Sequence, residues 1–412
     1  MPNKSFELTD SQEESLKPQK YLGEKGFLTL IGFLSAFIPL STDLYLPALP
    51  RMAENFQVSP GLINLTLILF FLFYAAGSLF WGPLSDKYGR RRILLIGLVL
   101  YTLASALCAL AGNVYQLIGF RVIQAIASGA ATAVGQAVVK DSYGGRKRVS
   151  VLALVSSMTM ISPIVAPVLG ALLLRFTSWR GVFAALAVIG FLITIAGFAM
   201  EETIEERYSG GILQSLGRLK VVAQNPGFLI LLLTFSLMGI AMMSFISSSS
   251  YIYVGQFGLT EQVYSYYFAF NALFMVIGPL LYTRVARYLK RNFIISLSYV
   301  ITGLSGFFVS LIGDMSPVIF ALTLLPATLA GSITRPPTAN LMLEQQTSDT
   351  GAAVSLMSCA FTVFGSIGMI IISLDWANRI RVMGLMYAVL ALVSFVIWSL
   401  ISQKPFVQKV TH

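Results

Sequence analysis

The chain alternates between long apolar stretches and short polar connections. Twelve apolar runs are long enough to cross the hydrocarbon core of a bilayer, which takes about 20 residues of helix. Backbone groups in lipid have no water to bond, so each run is expected to be helical. The approximate limits of the runs are 26–49, 61–82, 92–112, 115–138, 149–174, 181–200, 227–254, 263–286, 293–313, 316–341, 351–373 and 382–402. The pattern predicts an all-α polytopic membrane protein.

The composition agrees with this class. Of the 412 residues, 56% are hydrophobic and 11% are charged, whereas soluble domains carry about 25% charged residues. The net charge is +10. If the N-terminus is cytoplasmic and the runs alternate in direction, 21 of the 28 Lys and Arg residues lie on the cytoplasmic side. This is the positive-inside asymmetry of membrane proteins. The basic excess therefore orients the chain, places both termini in the cytoplasm and does not indicate a nucleic-acid partner.

A long polar connection divides the twelve runs into two sets of six. The expected organisation is a cytoplasmic tail at 1–25, a six-helix half at 26–200, a cytoplasmic linker at 201–226, a second half at 227–402 and a tail at 403–412. Gly-Pro-Leu occurs after the second run of each half, at Gly82–Leu84 and at Gly278–Leu280. Two related halves are typical of transporters that bind substrate near the bilayer midplane, between the repeats.

Catalytic and metal chemistry have few candidate residues here. The only histidine is His412, the last residue, which excludes a histidine-based triad or a histidine metal site. Cys108 and Cys359 each fall within an apolar run and are expected to pack as small apolar side chains. No nucleotide-binding motif of the G-x-x-x-x-G-K-[ST] type is present. We therefore expect no cofactor, no metal site and no enzymatic activity.

Several segments resemble one family of transporters. GPLSDKYGRRR, FRVIQAIASGAA and SPIVAPVLGALL resemble three motifs of the major facilitator superfamily, and STDLYLPALP resembles the first-helix signature of its Bcr/CflA group of drug–proton antiporters. These segments are Gly82–Arg92, Phe120–Ala131, Ser162–Leu173 and Ser41–Pro50, and Tyr266–Asn271 and Thr338–Leu356 also resemble that group. The sequence departs from the family patterns at Ala125, Ala171 and Gly255, and the second Gly-Pro-Leu copy has Tyr282 in place of the acid.

The resemblance implies a monomeric exporter in the inner membrane of a bacterium. It implies alternating access of the two halves and exchange of a small, partly apolar molecule for protons. Two alternatives stay open from the residues. The protein could export a native metabolite, such as a siderophore, sugar or amino acid derivative, by the same mechanism. It could also be a receptor or scaffold that transports nothing, which would not require an acid inside the membrane.

Asp43 lies inside an otherwise apolar helix, in FIPLSTDLYLPALP. An Asp at the centre of a membrane helix costs about 2.5–3.5 kcal/mol on insertion scales. Arg121 is at a matching depth: Asp43 is about 10 Å from the outer end of its helix and Arg121 about 9 Å, at 1.5 Å per residue. Intramembrane charges usually pair and mark ion pathways. We expect Asp43 and Arg121 to form the proton-coupling site, with a static ion pair as the alternative.

A charged cytoplasmic connection follows the second run. Asp86 is bracketed by Gly82 and Gly89, which suggests a close backbone approach and a contact with a helix terminus. Arg90 and Arg91 follow directly. These five residues are expected to gate the cytoplasmic side by analogy with the resembled motif, and the alternative is a solvated run that only sets orientation.

Three further residues are expected to shape the fifth helix. Pro163, Pro167 and Gly170 in the fifth run are expected to bend that helix and to let a neighbour approach it closely. The resemblance adds the antiporter direction to them.

The candidates for substrate binding are polar or aromatic residues within the runs: Gln124, Tyr251, Tyr253, Asn271, Asn340 and Arg335. Gln124 lies one turn from Arg121 and is expected on the same face. The other five each have an alternative that involves no ligand. The tyrosines could anchor at the membrane interface, the asparagines could bond between helices, and Arg335 could extend to the cytoplasmic interface.

Overall fold

The computed structural model describes residues 19–205, 207, 212–346 and 350–408. Within these ranges the chain forms helices and no strand. The helices are α1 (Gly23–Asp43), α2 (Leu49–Phe56), α3 (Pro60–Tyr88), α4 (Arg90–Ala109), α5 (Val114–Ser142), α6 (Gly145–Phe176), α7 (Trp179–Phe198), α8 (Ile212–Ala223), α9 (Pro226–Ser250), α10 (Glu261–Val285), α11 (Arg291–Ile312), α12 (Pro317–Leu343), α13 (Thr350–Ser373), α14 (Arg379–Ile401) and α15 (Pro405–Gln408). Most of the predicted tails, with Lys4, Lys17, Lys409 and His412, and part of the predicted linker lie outside the described residues.

The helices match the predicted spans. Eleven helices of the described chain are long and apolar enough to cross a membrane, and α9 is extended through a π-helical turn at Tyr251–Gln256. The first span is a bent pair, Gly23–Phe37 and Pro39–Phe56, with an angle of 47° between its parts. A 3-10 turn at Leu46–Ala48 joins α1 to α2. Counted as one span, the pair makes the predicted total of twelve, so the all-α polytopic class is confirmed.

Side chains that cap helix N-termini set where several spans begin. Ser59, Asn113, Thr260, Ser316 and Asn378 each accept a hydrogen bond from a backbone N–H in the first turn of the helix that follows. Pro follows the cap directly in α3 and α12, where its missing N–H leaves no donor unsatisfied. These caps mark the polar connections that the hydrophobic pattern predicts between the apolar runs.

We call the end of the bundle where α3 meets α4 the basic end, and the end where α4 meets α5 the distal end. At the distal end, residues of both halves form one apolar core, in which Leu44 and Tyr45 of the first half join Tyr264 and Phe268 of the second. At the basic end each half has its own core, one containing Phe27 and the other Trp398. The two halves are thus packed together at the distal end and have separate cores at the basic end.

Candidate functional site

Asp43 is the last residue of α1 and is 6% exposed. Among the described residues it is the one acidic side chain that is buried. The Thr42 hydroxyl donates a hydrogen bond of 3.0 Å to Asp43 Oδ1. Tyr264 of α10, in the other half, lies within electrostatic range of the carboxylate and shares a 3.0 Å hydrogen bond with Ser249. The acid therefore lies where the two halves meet in the distal core.

Arg121 of α5 is fully buried beside the end of α1. Its Nη1 donates to the Ser41 carbonyl oxygen at 2.9 Å, and its Nε donates to the Thr66 carbonyl oxygen at 3.4 Å. The guanidinium also lies 4.5 Å from the ring centroid of Tyr45 and 4.2 Å from that of Phe70. Such contacts stabilise a buried cation without a carboxylate partner.

The expected ion pair between Asp43 and Arg121 is not formed in the part of the chain that the structure describes. Arg121 instead holds the backbone of Ser41, two residues before Asp43. The guanidinium lies beside the end of α1, but it points at a main-chain carbonyl. The two groups are connected through one turn of α1.

Gln124 fixes the orientation of Arg121. Its side-chain oxygen accepts a hydrogen bond of 2.6 Å from Arg121 Nη1, and its Nε2 donates to the Ser105 hydroxyl at 2.7 Å. Ser41 shares a 2.6 Å hydrogen bond with Tyr101 of α4. Gln124 is completely buried in this network and does not line the cavity described below. The network joins the first, third and fourth spans around Arg121.

The glycine of the fifth span lies against the same turn of α1. A Cβ built on Gly170 would overlap the Leu44 carbonyl oxygen and lie 2.8 Å from its carbon. The close approach expected of Gly170 is therefore present, and it falls on the residue after Asp43. Pro163 and Pro167 lie inside α6, which continues as one helix from Gly145 to Phe176.

Ion pairs hold the connection between α3 and α4 against α5. Arg90 Nη1 lies 2.5 Å from Asp86 Oδ1, and Arg90 Nε donates to Asp141 Oδ2 of α5 at 2.8 Å. Gly89 has φ of +100°, in the region that favours glycine. A Cβ there would overlap the carboxylate of Glu202, which accepts a hydrogen bond of 2.9 Å from Arg90 N. Glu202 thus caps the N-terminus of α4.

Two details of this connection complete the predicted set. Arg91 Nη2 donates to the Phe198 carbonyl oxygen at the end of α7, at 2.7 Å. Gly82 lies within α3, and a Cβ built on it would meet no atom within 4 Å. The close backbone approach predicted for both glycines is therefore present at Gly89 and absent at Gly82.

A cavity of about 370 Å³ lies in the second half, between its distal and basic-end cores. Its wall is formed by residues of α9 to α14. Of the six residues predicted to bind substrate, Arg335 lines this cavity. Its guanidinium lies 5.2 Å from the ring centroid of Phe361 and donates to Met242 Sδ at 2.8 Å. Arg335 therefore faces the cavity.

The other substrate-binding candidates are dispersed. Tyr251 and Tyr253 are buried in the distal core, and Tyr253 stacks on Tyr267 with 4.8 Å between ring centroids. Asn271 donates to the Thr328 hydroxyl at 3.0 Å, which is a bond between α10 and α12. Asn340 is exposed near the end of α12 and does not line the cavity.

Polar contacts across the halves reinforce the distal closure. Arg51 of α2 forms an ion pair with Glu261 of α10. Asn64 of α3 donates to the Ser373 hydroxyl of α13 at 2.7 Å. The Tyr251 hydroxyl donates to the Pro60 carbonyl oxygen at 3.5 Å. These bonds must break if the halves separate at this end.

Residues 31–369 match the sequence profile of the Major Facilitator Superfamily. The chain belongs to this superfamily. A bicyclomycin resistance protein homolog of Haemophilus influenzae is 26% identical over 68% of the chain and 71% of its own length. The multidrug resistance protein MdtM of Escherichia coli (strain K12) is 33% identical over 55% of the chain and 56% of its own length. The protein is therefore a membrane transporter and not an enzyme.

The fold is also found among solved structures of the superfamily. A bacterial homolog of the human lysosomal transporter Spinster, solved in an inward-facing and occupied conformation, aligns with a TM-score of 0.75. The alignment covers 91% of this chain and 96% of that one, at 13% identity. At that identity the likeness establishes the shared fold.

Proposed function

We propose that the protein exports small, partly apolar molecules in exchange for protons, with Asp43 carrying the proton. The observation that supports this most is the burial of a single described carboxylate at the contact between the halves. Desolvation favours the neutral acid, and a neighbouring cation favours the carboxylate, so the charge of such a group responds to movement of the helices around it. Resistance to drugs is named for two of the relatives.

Arg121 supplies the link between proton binding and helix movement. It holds the Ser41 carbonyl oxygen, so the last turn of α1 and the position of Asp43 depend on that bond. Asp43 lies two residues from this bond, so a change in its charge acts on the same turn of α1 that Arg121 holds. Protonation of Asp43 is proposed to shift this turn relative to α5. The alternation of the halves converts this local change into exchange of substrate and proton.

The proposed direction of access follows from the two ends of the bundle. The distal end is closed by the shared core and by the Arg51–Glu261 pair, while the cores at the basic end are separate. The positive-inside asymmetry supports a cytoplasmic basic end, with both termini there. On this assignment the conformation is open toward the cytoplasm of a bacterial inner membrane. The connection between α3 and α4 then acts as the cytoplasmic gate, with Asp86, Gly89, Arg90 and Arg91.

Transport against an imposed pH gradient tests the proposal. Purified protein is reconstituted into liposomes loaded at one pH and diluted into another, and candidate drugs are screened for accumulation against their own gradient. Proton-coupled export predicts accumulation that reverses direction when the pH gradient is reversed and stops when an ionophore collapses it. Accumulation that ignores the pH gradient contradicts proton coupling.

A further inference from the structure

The cavity of the second half contains an unbalanced positive charge. Arg335 is the one cationic side chain among the residues that line it, and no acidic side chain lines it. The structure gives Arg335 no ion pair with any acid in the described ranges. A cation in a membrane-spanning helix is normally paired or in contact with water or a ligand. Its position on the cavity wall therefore favours binding of an anion in the cavity.

Most N–H donors of the Arg335 guanidinium take part in no described hydrogen bond. An arginine side chain carries five N–H donors in a fork that matches the two oxygens of a carboxylate or sulfonate. The bond from Nη2 to Met242 Sδ and the contact with the Phe361 ring are its described contacts. Thioether sulfur is a weak acceptor, and a ring offers none. The fork is exposed to the cavity and ready to receive a planar anion.

The rest of the wall combines apolar side chains with neutral hydroxyl groups. Five methionines and three phenylalanines line the cavity, beside eight serines and threonines. Methionine side chains are flexible and polarisable, and they adapt to aromatic ligands of different shape. The volume of about 370 Å³ fits one drug-sized molecule. The cavity thus offers the Arg335 guanidinium for an anionic group and flexible methionine side chains for an aromatic body.

We propose that this cavity binds compact aromatic anions, with the Arg335 guanidinium holding their carboxylate or sulfonate group. The inference deepens the proposed function, because it names the substrate class of the same transporter. It also has an electrical consequence. If one proton enters for each monoanion that leaves, two positive charges move inward per cycle. A membrane potential that is negative inside then drives export of these anions more strongly than export of a neutral molecule.

Equilibrium binding to the purified protein in detergent tests this without any gradient. The probes are 1-naphthaleneacetate and its uncharged amide, 1-naphthaleneacetamide, which share the aromatic body and differ in charge. We expect the wild-type protein to bind the carboxylate at least about tenfold more tightly than the amide, as a charge-assisted bond predicts. Arg335→Gln should abolish this preference, and Arg335→Lys should retain part of it. Arg175→Gln, which removes a charge from the distal end of α6, should leave it unchanged.

Three results would overturn the inference: no binding of the carboxylate by the wild-type protein, equal affinity for the two probes, or an unchanged preference in a folded Arg335→Gln variant. Retention of the preference by Arg335→Lys shows that loss in Arg335→Gln is due to charge and not to misfolding. Proton coupling is measured separately, by transport. The anion site can therefore fail while proton-coupled export of neutral compounds stands, and the reverse also holds.

Discussion

The backbone of Gly170 in α6 lies directly against the carbonyl group of Leu44, the residue after Asp43. No side chain fits between them, because even a Cβ at Gly170 would overlap the Leu44 oxygen. Three residues earlier in the chain, the Ser41 carbonyl oxygen accepts a hydrogen bond from Arg121 of α5. The segment that carries the buried acid is therefore in contact with both α5 and α6. This relationship connects the residues proposed to couple protons with the glycine of the fifth-span motif.

Gly170→Ala should disturb the Asp43 turn. The added methyl group must displace the Leu44 backbone, and overpacking of this kind typically costs about 1–3 kcal/mol. We expect a lower thermal unfolding temperature in detergent and a loss of most gradient-driven transport. Gly119→Ala is the matched control, because a Cβ at this position of α5 meets no atom within 4 Å. Equal behaviour of the two variants would show that the close approach has no functional role.

Breaking the Arg51–Glu261 ion pair should favour opening of the distal end. Exposed pairs contribute about 0.2–1 kcal/mol, so Glu261→Arg, which replaces attraction by repulsion, should raise the distally open population by about fivefold. Pulsed dipolar spectroscopy between spin labels at Asn55 and Gln256 measures this population. The double variant Arg51→Glu with Glu261→Arg restores opposite charges and should restore closure. A distance distribution that does not change in Glu261→Arg would contradict the role of the pair.

Asp86→Asn should slow turnover and leave substrate affinity nearly unchanged. The residue interacts with Arg90 at the basic end and lies outside the cavity lining. Arg90 forms ion pairs with Asp86 of α3 and Asp141 of α5. Loss of the Asp86 charge removes one of these pairs, and the pairs are proposed to rearrange when the halves alternate. Turnover is measured in liposomes and affinity by equilibrium binding. Loss of binding in a folded, inserted Asp86→Asn protein would place the residue in the substrate site instead.

Both termini and the basic end should face the cytoplasm. In a variant with Cys108 and Cys359 replaced, a single cysteine at Lys220 should react with an impermeant thiol reagent only after the cells are broken. A single cysteine at Asn55, on α2 at the distal end, should react in intact cells. Reaction of Lys220→Cys in intact cells would invert the assigned orientation.

The hydrophobic pattern was sufficient to predict the spans because burial in lipid leaves few alternatives to apolar helices. It also indicated Asp43 and Arg121, since charges in such helices are rare. The prediction of a direct ion pair was wrong because helix rise gives the depth of a residue but not the direction in which its side chain points. Arg121 reaches a backbone carbonyl, whose position no sequence motif specifies.

Contacts between distant segments were the least predictable part of the site. Glu202 caps α4 across 112 positions of sequence, and Tyr264 approaches Asp43 from the other half. Both depend on tertiary packing. The close backbone approach expected at Gly89 is present against the Glu202 carboxylate. Gln124 was expected at the substrate face because it lies one turn from Arg121, but that proximity instead gives it a hydrogen bond with Arg121 in the buried network.

Proton release on substrate binding tests the central claim most directly. Binding of substrate and proton must be coupled reciprocally: if protons weaken substrate affinity, substrate must release protons. Addition of a transported compound to weakly buffered protein in detergent should acidify the solution in the wild type. It should still do so in Asp314→Asn, whose acid bonds Asn378 in a distal connection. Asp43→Asn, which keeps the size of the side chain and removes its titration, should release no protons. Undiminished proton release by a folded Asp43→Asn protein would show that another group carries the proton.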